Sequence, residues 1–451
     1  MSVSCKWTLL MGICVLGVGA GYCAATSYRT AILAIWSIIW LIACIAVAAC
    51  SGAAGGWRYR MICWISLYSC VSMLVALLIG SQLGILGAYY PDERFYIDGG
   101  LQIANLLCSG EWPNFSEVQR LAGTRNAGFH YFVASHFLVL PDRMLPVLSL
   151  IGLSAMAAVF AARIGNVLFG ETVARRTLWF QLANPGVLYW SSFVLKDVLI
   201  GFLVVSVVTF YYRVSSRFNL LVLLVMLSLL SALLTLRFYM FFVLLSVLVV
   251  AFAINRLQNV YTRALTLVLV TAILGLSVVA SPVLQERFGE ALEMTSWDAV
   301  LAQSEKSTEI ATKREGFFSR YQSLSPVVVV HSALHFLLAP SPLNLEGDGK
   351  YLVAGGLFWY AMLPYVSLGL VTVMRRDWRR LLPVYGVPLL LVLVTALNPA
   401  ISEPRHRVMA YPLFAVLAAV GSLGSGKART WAFALVWLAI GAAVAWRQQW
   451  F

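Results

Sequence analysis

Charge is scarce in this chain and unevenly signed. Only 11% of the residues are charged, with 19 acids against 32 lysines and arginines. A soluble domain, about a quarter of whose residues are charged, cannot be surfaced from so little. No complete Gly-x-x-x-x-Gly-Lys-Ser/Thr phosphate loop occurs, because "GSLGSGK" (421–427) is followed by Ala428, so no nucleotide site of that type is expected. No basic stripe interleaved with aromatics follows a polar face, so no nucleic-acid partner is expected. The eight cysteines include no Cys-x-x-Cys pair, and seven of them precede residue 71. Neither a disulfide framework nor a zinc site follows from that spacing.

What is present is apolar sequence. Hydrophobic residues make up 61% of the chain, and uninterrupted runs such as 220–236 and 265–280 recur along it. Each approaches the roughly 20 residues needed to cross a bilayer as a helix. The expected fold is an all-α polytopic bundle of about 11–13 spans, a single transmembrane domain over residues 1–451. The spans are placed at 8–26, 31–50, 61–87, 143–163, 174–193, 197–212, 220–236, 239–255, 265–282, 352–373, 381–398, 408–424 and 431–446. Pro185 makes the 174–193 span the least regular. Residues 328–340 are too short to cross and read as re-entrant or interfacial. The first 23 residues resemble a signal peptide, but a second apolar run follows Arg29 at once, so a retained anchor helix is expected.

The positive-inside rule orients these spans. With the N-terminus in the cytoplasm, the short inner loops hold Arg58/Arg60, Arg163/Arg175/Arg176, Arg213/Arg217, Arg256/Arg263, Arg375/Arg376/Arg379/Arg380 and Lys427/Arg429. Only Glu171 and Asp377 then fall inside, and the other 17 of the 19 acids fall outside. The net charge of +13 is thus a topology signal in an inner (plasma) membrane protein. Two outer segments are long, 88–142 and 283–351. The first reads as amphipathic helices lying along the membrane, one from Pro91 to about Cys108, a second opened by a capping box between Ser116 and Gln119.

In the first loop, "PDERFYIDGG" places Asp92, Glu93 and Asp98 beside Arg94 and Tyr96. Proline followed by acids is a good helix start whatever the function. Adjacent carboxylates beside a bilayer also suit a general base for a sugar hydroxyl, and polar clusters at a membrane tend to be functional. Lys196 and Asp197 occupy a tight outer turn, where the bland alternative is a simple ion pair. Residues 312–326, "TKREGFFSRYQSLSP", form a basic segment that is either a loop over a phosphate or a solvated charge run. Arg405 and Arg407, beside Glu403, either grip a phosphate or snorkel to lipid headgroups. His331 and His335 are four apart, but without a His-Glu-x-x-His pattern they read as packing rather than metal ligands. "NFS" fits a glycosylation acceptor by pattern, and Asn114 more simply begins a helix.

An Asp-Glu pair followed by an aromatic on the first large outer loop resembles the GT-C superfamily of integral membrane glycosyltransferases. "GTRNAGFHYFVASHFLVL" (123–140) is similar to the second interfacial helix of that loop. "LANPGVLYWSSFVLKDVLIGFLVVSVVTFYYR" (182–213) resembles the Asn-Pro helix, outer turn with an Asp, and return helix of those enzymes. "EPRHRVMAYPLFAVLAA" (403–419) resembles their late Arg-x-Arg helix. The resemblance implies an inverting transferase that moves a sugar from a polyprenyl-phosphate donor to a lipid-linked or glycan acceptor at the outer face. Asp92 or Glu93 would be the base. Arg94, Tyr96, Asp98, Asn126, Tyr131, Lys196, Asp197, Arg237, Lys313, Arg314, Arg320, Glu403, Arg405 and Arg407 would bind substrate, the cations facing the phosphate leaving group. No cofactor is required, although a divalent cation among Asp92, Glu93 and Asp98 is an open alternative. Residues 319–344 resemble O-antigen and exopolysaccharide polymerases equally, which makes a polymerase the second reading. A lipid or glycan transporter is the third, and it lacks the internal repeat such proteins show.

Overall fold

In lipid every backbone polar group must be bonded within the protein, and apolar runs of this length without strand-like alternation meet that demand as helices. The computed structural model describes residues 28–50, 55–121, 127–255, 326–339, 349–398, 404–424, 430–437 and 439. These residues are 89% helical and contain no strand. Six of their helices are long and apolar enough to cross a membrane: Tyr28–Ala49, Gly56–Leu83, Met144–Phe169, Lys196–Ser216, Phe238–Asn255 and Leu352–Leu397. Shorter apolar helices cover Leu220–Leu236, Val328–Leu338 and Tyr411–Gly424. The chain is a multi-pass membrane protein with an all-α fold. The expected spans at 8–26 and 265–282 lie outside the described residues.

Two compact units divide the chain, Met1–Thr209 and Phe210–Phe451. The first contains helices α1 (Tyr28–Ala49), α2 (Gly55–Leu83), α3 (Pro91–Cys108), α4 (Phe115–Leu121), α5 (Gly128–Phe137), α6 (Met144–Phe169), α7 (Glu171–Leu182) and α8 (Pro185–Ser191), and the start of α9 (Lys196–Ser216). At its centre is α6, apolar all round and rich in small residues, with 94% of its spanning window buried. Small side chains let neighbours approach closely, and the Trp40 ring of α1 occupies the space that a Cβ on Gly152 would need. Bonds fix the directions of the neighbours. Trp36 Nε1 donates to Ser149 Oγ (2.9 Å) and the Cys44 thiol to the Gly152 carbonyl (3.4 Å), so α1 runs parallel to α6. Tyr68 meets Ser154 (2.8 Å) while Arg143 N donates to the Ile85 carbonyl (3.0 Å), so α2 runs antiparallel. Residues 29, 85–121, 127–143 and 193–197 therefore gather at one end of this unit, the loop end. Gly170, at φ 91°, turns α6 directly into α7 at the other end.

Three expectations change in this unit. The 174–193 run is two helices, because Asn184 accepts from Gly186 N (2.8 Å) and starts α8 anew at Pro185. The capping box of α4 is Asn114 with Glu117, not Ser116 with Gln119. Asn114 Oδ1 accepts from Glu117 N (2.9 Å) and Glu117 Oε2 from Asn114 N (2.8 Å), two residues earlier than the Ser-x-x-Gln pattern suggests. Finally, Cys63 is disulfide-bonded, whereas Cys44, Cys50, Cys70 and Cys108 are free thiols.

The second unit contains α10 (Leu220–Leu236), α11 (Phe238–Asn255), α12 (Pro326–Leu338), α13 (Gly349–Leu397), a 3-10 turn (Pro404–Met409) and α14 (Tyr411–Gly424). The two spans expected over 352–398 are continuous except at Asp377, which leaves helical geometry (φ −153°, ψ 66°). Packing of α13 on α14 brings backbone against backbone. A Cβ on Gly421 would collide with the Tyr365 carbonyl, and one on Gly369 with the Leu417 carbonyl.

Candidate functional site

Tyr90 is extended (φ −102°, ψ 145°), Pro91 takes the first helical position of α3, and Asp92 and Glu93 complement its dipole. The two acids then part company. Glu93 is fully buried. Its Oε1 accepts from Arg143 Nη2 (2.5 Å) and from Val194 N (3.0 Å), and its Oε2 accepts from Tyr89 N (2.9 Å). Both side chains of the Glu93–Arg143 pair are 0% exposed. One carboxylate thus ties together the segment before α3, the start of α6 and the turn before α9. Asp142 is its counterpart: it accepts from Met144 N (2.9 Å) and pairs with Arg29 of α1. Neighbouring residues of opposite charge reach in different directions and lock the loop end.

Asp92 is half-buried, with part of its surface open to solvent. Arg94 and Asp98 form an exposed pair at 3.6 Å, 79% and 62% accessible, of the sort that contributes little. The carboxylates of Glu93 and Asp98 are committed to different arginines. Among the described residues no three His, Cys, Asp or Glu side chains converge as metal ligands. The open alternative of a divalent cation on Asp92, Glu93 and Asp98 therefore does not fit this arrangement.

Behind the acids, Tyr96 is buried, with its ring edge-on to Phe129 (4.8 Å) and His130 (5.2 Å). Lys196 Nζ lies 5.4 Å above the Tyr96 ring. Lys196 and Asp197 are 7% and 3% exposed, so they belong to the interior of the loop end rather than to a solvated turn. His130 is wholly buried and neither ring nitrogen makes a hydrogen bond. Burial first, and the Lys196 charge second, lower its pKa from 6.5 to about 4. The Phe95 carbonyl lies close enough to oppose this without reaching hydrogen-bond geometry. His130 is neutral at pH 7. Tyr131 donates to the Pro113 carbonyl (3.2 Å) and holds α5 to the segment before α4.

An aromatic wall adjoins the start of α3. Tyr90 and Tyr189 share a hydroxyl–hydroxyl bond (2.7 Å), with Trp190 at 5.5 Å and Phe193 at 5.1 Å from the Tyr90 ring. Half-exposed aromatic faces of this kind suit a sugar ring, whose C–H face is apolar. In 182–213 the signal for this wall is compositional, the adjacent Tyr189 and Trp190, and lies before the turn that holds Asp197.

In the second unit, Arg237 is extended between α10 and α11 and donates to His406 Nε2 (2.9 Å) and Tyr239 OH (3.0 Å). Arg407 donates to the Leu337 carbonyl (2.9 Å) and to the Ala339 carbonyl, closing the C-terminus of α12, with its guanidinium 4.8 Å over Trp359. Burial lowers its pKa to about 9, which leaves it charged. Arg237 and Arg407 thus hold the protein together rather than standing open to a phosphate. Arg405 is partly buried in the same 3-10 turn. Asn126, Lys313, Arg314, Arg320 and Glu403 lie outside the described residues. Comparison with family models, curated proteins and solved structures finds no match to this chain, so the chemistry of the site is read from its own residues.

Proposed function

We propose that this protein is an inverting membrane glycosyltransferase that moves a sugar from a polyprenyl-phosphate donor to a lipid-linked or envelope glycan acceptor. The observation that carries this is the division of labour between Asp92 and Glu93. Glu93 is spent on fixing the start of α3. Asp92, one residue before it, keeps solvent access two residues from the aromatic wall at Tyr90. A carboxylate that is held by a rigid neighbour and open to solvent is what a general base for a hydroxyl requires.

In the reaction Asp92 takes the proton of the acceptor hydroxyl. The oxygen attacks the anomeric carbon from the face opposite the phosphate, the new C–O bond forms, and the bond to the phosphate oxygen breaks. The electron pair leaves with the polyprenyl phosphate, and the sugar inverts. Lys196, the buried cation at the same end, offsets the charge that develops on the departing phosphate. Neutral His130 leaves that charge undiluted. The inner-loop arginines orient the loop end toward the outer face of the plasma membrane, with the N-terminus in the cytoplasm.

The test is the surface glycan of cells carrying Asp92→Asn, by mass spectrometry, with protein level checked by blot. Otherwise complete chains lacking one sugar support the transferase. Single capped repeats identify a polymerase instead. A normal glycan at normal protein level removes Asp92 as the base.

A further inference from the structure

In the first unit, α2, α7 and α8 enclose a concave groove of about 350 Å³ that runs from the end away from the loops toward Leu188. Its volume is within the range of ligand pockets, about 300–1,000 Å³. Trp57 and Trp64, seven residues and so two turns apart, share one face of α2. Trp179 of α7 and Leu188 of α8 face them. Arg60 and Arg175 line the same groove near the starts of their helices. Arg175 is held in place, paired with Glu171 and lying 5.5 Å over the Trp57 ring. The 26 residues of α6 span about 39 Å, with Glu93 at its start and Arg60 and Arg175 toward its end, so the charged part of the groove lies apart from Glu93.

The groove has the chemistry of a lipid with an anionic head. Its wall is apolar and aromatic, and in a multi-pass membrane protein such a wall faces acyl chains. Tryptophans gather where the hydrocarbon meets the headgroups. The starts of α2 and α7 carry Arg58, Arg60, Arg175 and Arg176 against Glu171 alone. Basic pockets between transmembrane helices favour anionic headgroups. We infer that this groove is a binding site for an anionic phospholipid, with the phosphate between Arg60 and Arg175 and an acyl chain along Trp64 and Leu67 toward Leu188. The inference is independent of the transferase reading and needs no residue of the loop end.

The purified full-length protein is reconstituted in phosphatidylcholine vesicles, and acyl-brominated phosphatidylglycerol or brominated phosphatidylcholine is titrated in. Bromine quenches nearby tryptophan, and the groove holds three. Half-quenching is expected at about a tenfold lower fraction of phosphatidylglycerol than of phosphatidylcholine, two arginines being engaged and one of them shared with Glu171. Arg60→Gln/Arg175→Gln, both at exposed positions and so compatible with folding, reduces that preference to less than twofold. Trp64→Phe with the arginines intact removes part of the preferential quenching and keeps the preference in what remains. Equal quenching by the two lipids in the native protein overturns the inference. So does a preference that survives the double substitution, or one untouched by Trp64→Phe. Displacement of brominated phosphatidylglycerol by an equimolar polyprenyl phosphate assigns the groove to the carrier lipid and overturns the phospholipid assignment.

Discussion

Glu93→Gln removes one charge and keeps the shape of the side chain. In the native protein that carboxylate is the counter-ion of Arg143 and accepts three hydrogen bonds with no exposure to water. A glutamine offers one oxygen in place of two, and it turns an N–H toward donors that expect an acceptor. Arg143, whose Nε and Nη1 already lack hydrogen bonds, is left a buried cation without an anion. Breaking a buried pair from one side costs about 3–5 kcal/mol. Arg143→Met, leaving Glu93 with two backbone donors and no cation, costs a similar amount. Glu93→Gln/Arg143→Met removes both charges at once and is expected within about 2 kcal/mol of the native protein. The singles are thus strongly non-additive, with a coupling energy above about 3 kcal/mol. Unfolding of the four proteins in mixed micelles, followed by tryptophan fluorescence, measures the cycle. Additive singles refute the account of Glu93 as a structural tie. A Glu93→Gln protein as stable as the native one but unable to support glycan synthesis refutes it more directly, since Glu93 would then be the chemical group.

Other expectations are as specific. His130 titrates near 6.5 when unfolded and at about 4 when folded, so the unfolded chain binds the extra proton between those values. Stability is full above pH 6.5 and falls toward pH 4 by about 3 kcal/mol, and His130→Phe, which stays within the Phe95–Tyr96 cluster, flattens most of that slope. Arg407→Lys keeps the charge but cannot bond two carbonyls in a fixed plane. A loss of about 2–3 kcal/mol in thermal unfolding follows, and a neutral effect would show that the closure of α12 is dispensable. Gly421→Ala drives a methyl into the Tyr365 carbonyl and separates α13 from α14, so folded yield after detergent extraction collapses; ordinary yield would contradict the backbone contact.

The helices were legible because each is written locally. Leu220–Leu236 and Phe238–Asn255 are apolar runs broken by one charged residue, Arg237, and the break is observed there. Pro91 followed by two acids marked the start of α3 to the residue. The roles of those acids were less accessible. The helical period separates them: Tyr96, Ile97 and Gly100 lie three, four and seven positions after Glu93, and all are buried with it. That stripe points Glu93 inward and Asp92 away, but only once α3 has something to pack against. Arg143 and Asp142 stood at the start of an expected span with nothing beside them to announce their partners. Those partners lie 50 and 113 residues away in sequence. Arg237 and Arg407 illustrate the same limit in reverse. A guanidinium beside a membrane suggests phosphate until the carbonyl and imidazole partners are seen.

The separation of those partners has a consequence for how the protein is made. Glu93 emerges 50 residues before Arg143 and 101 before Val194, and Arg29 emerges 113 before Asp142. At about 5–20 residues per second, the Glu93 carboxylate waits roughly 3–20 s for its donors. During that interval Arg29 of α1 and Glu93 of α3 lack their native partners and cannot enter hydrocarbon charged, so they must stay at the headgroups or within the insertion machinery. The loop end can close only after the turn before α9 has been synthesised. A ribosome-bound chain stopped short of residue 194 should therefore expose α3 to protease, and one stopped well beyond it should protect it.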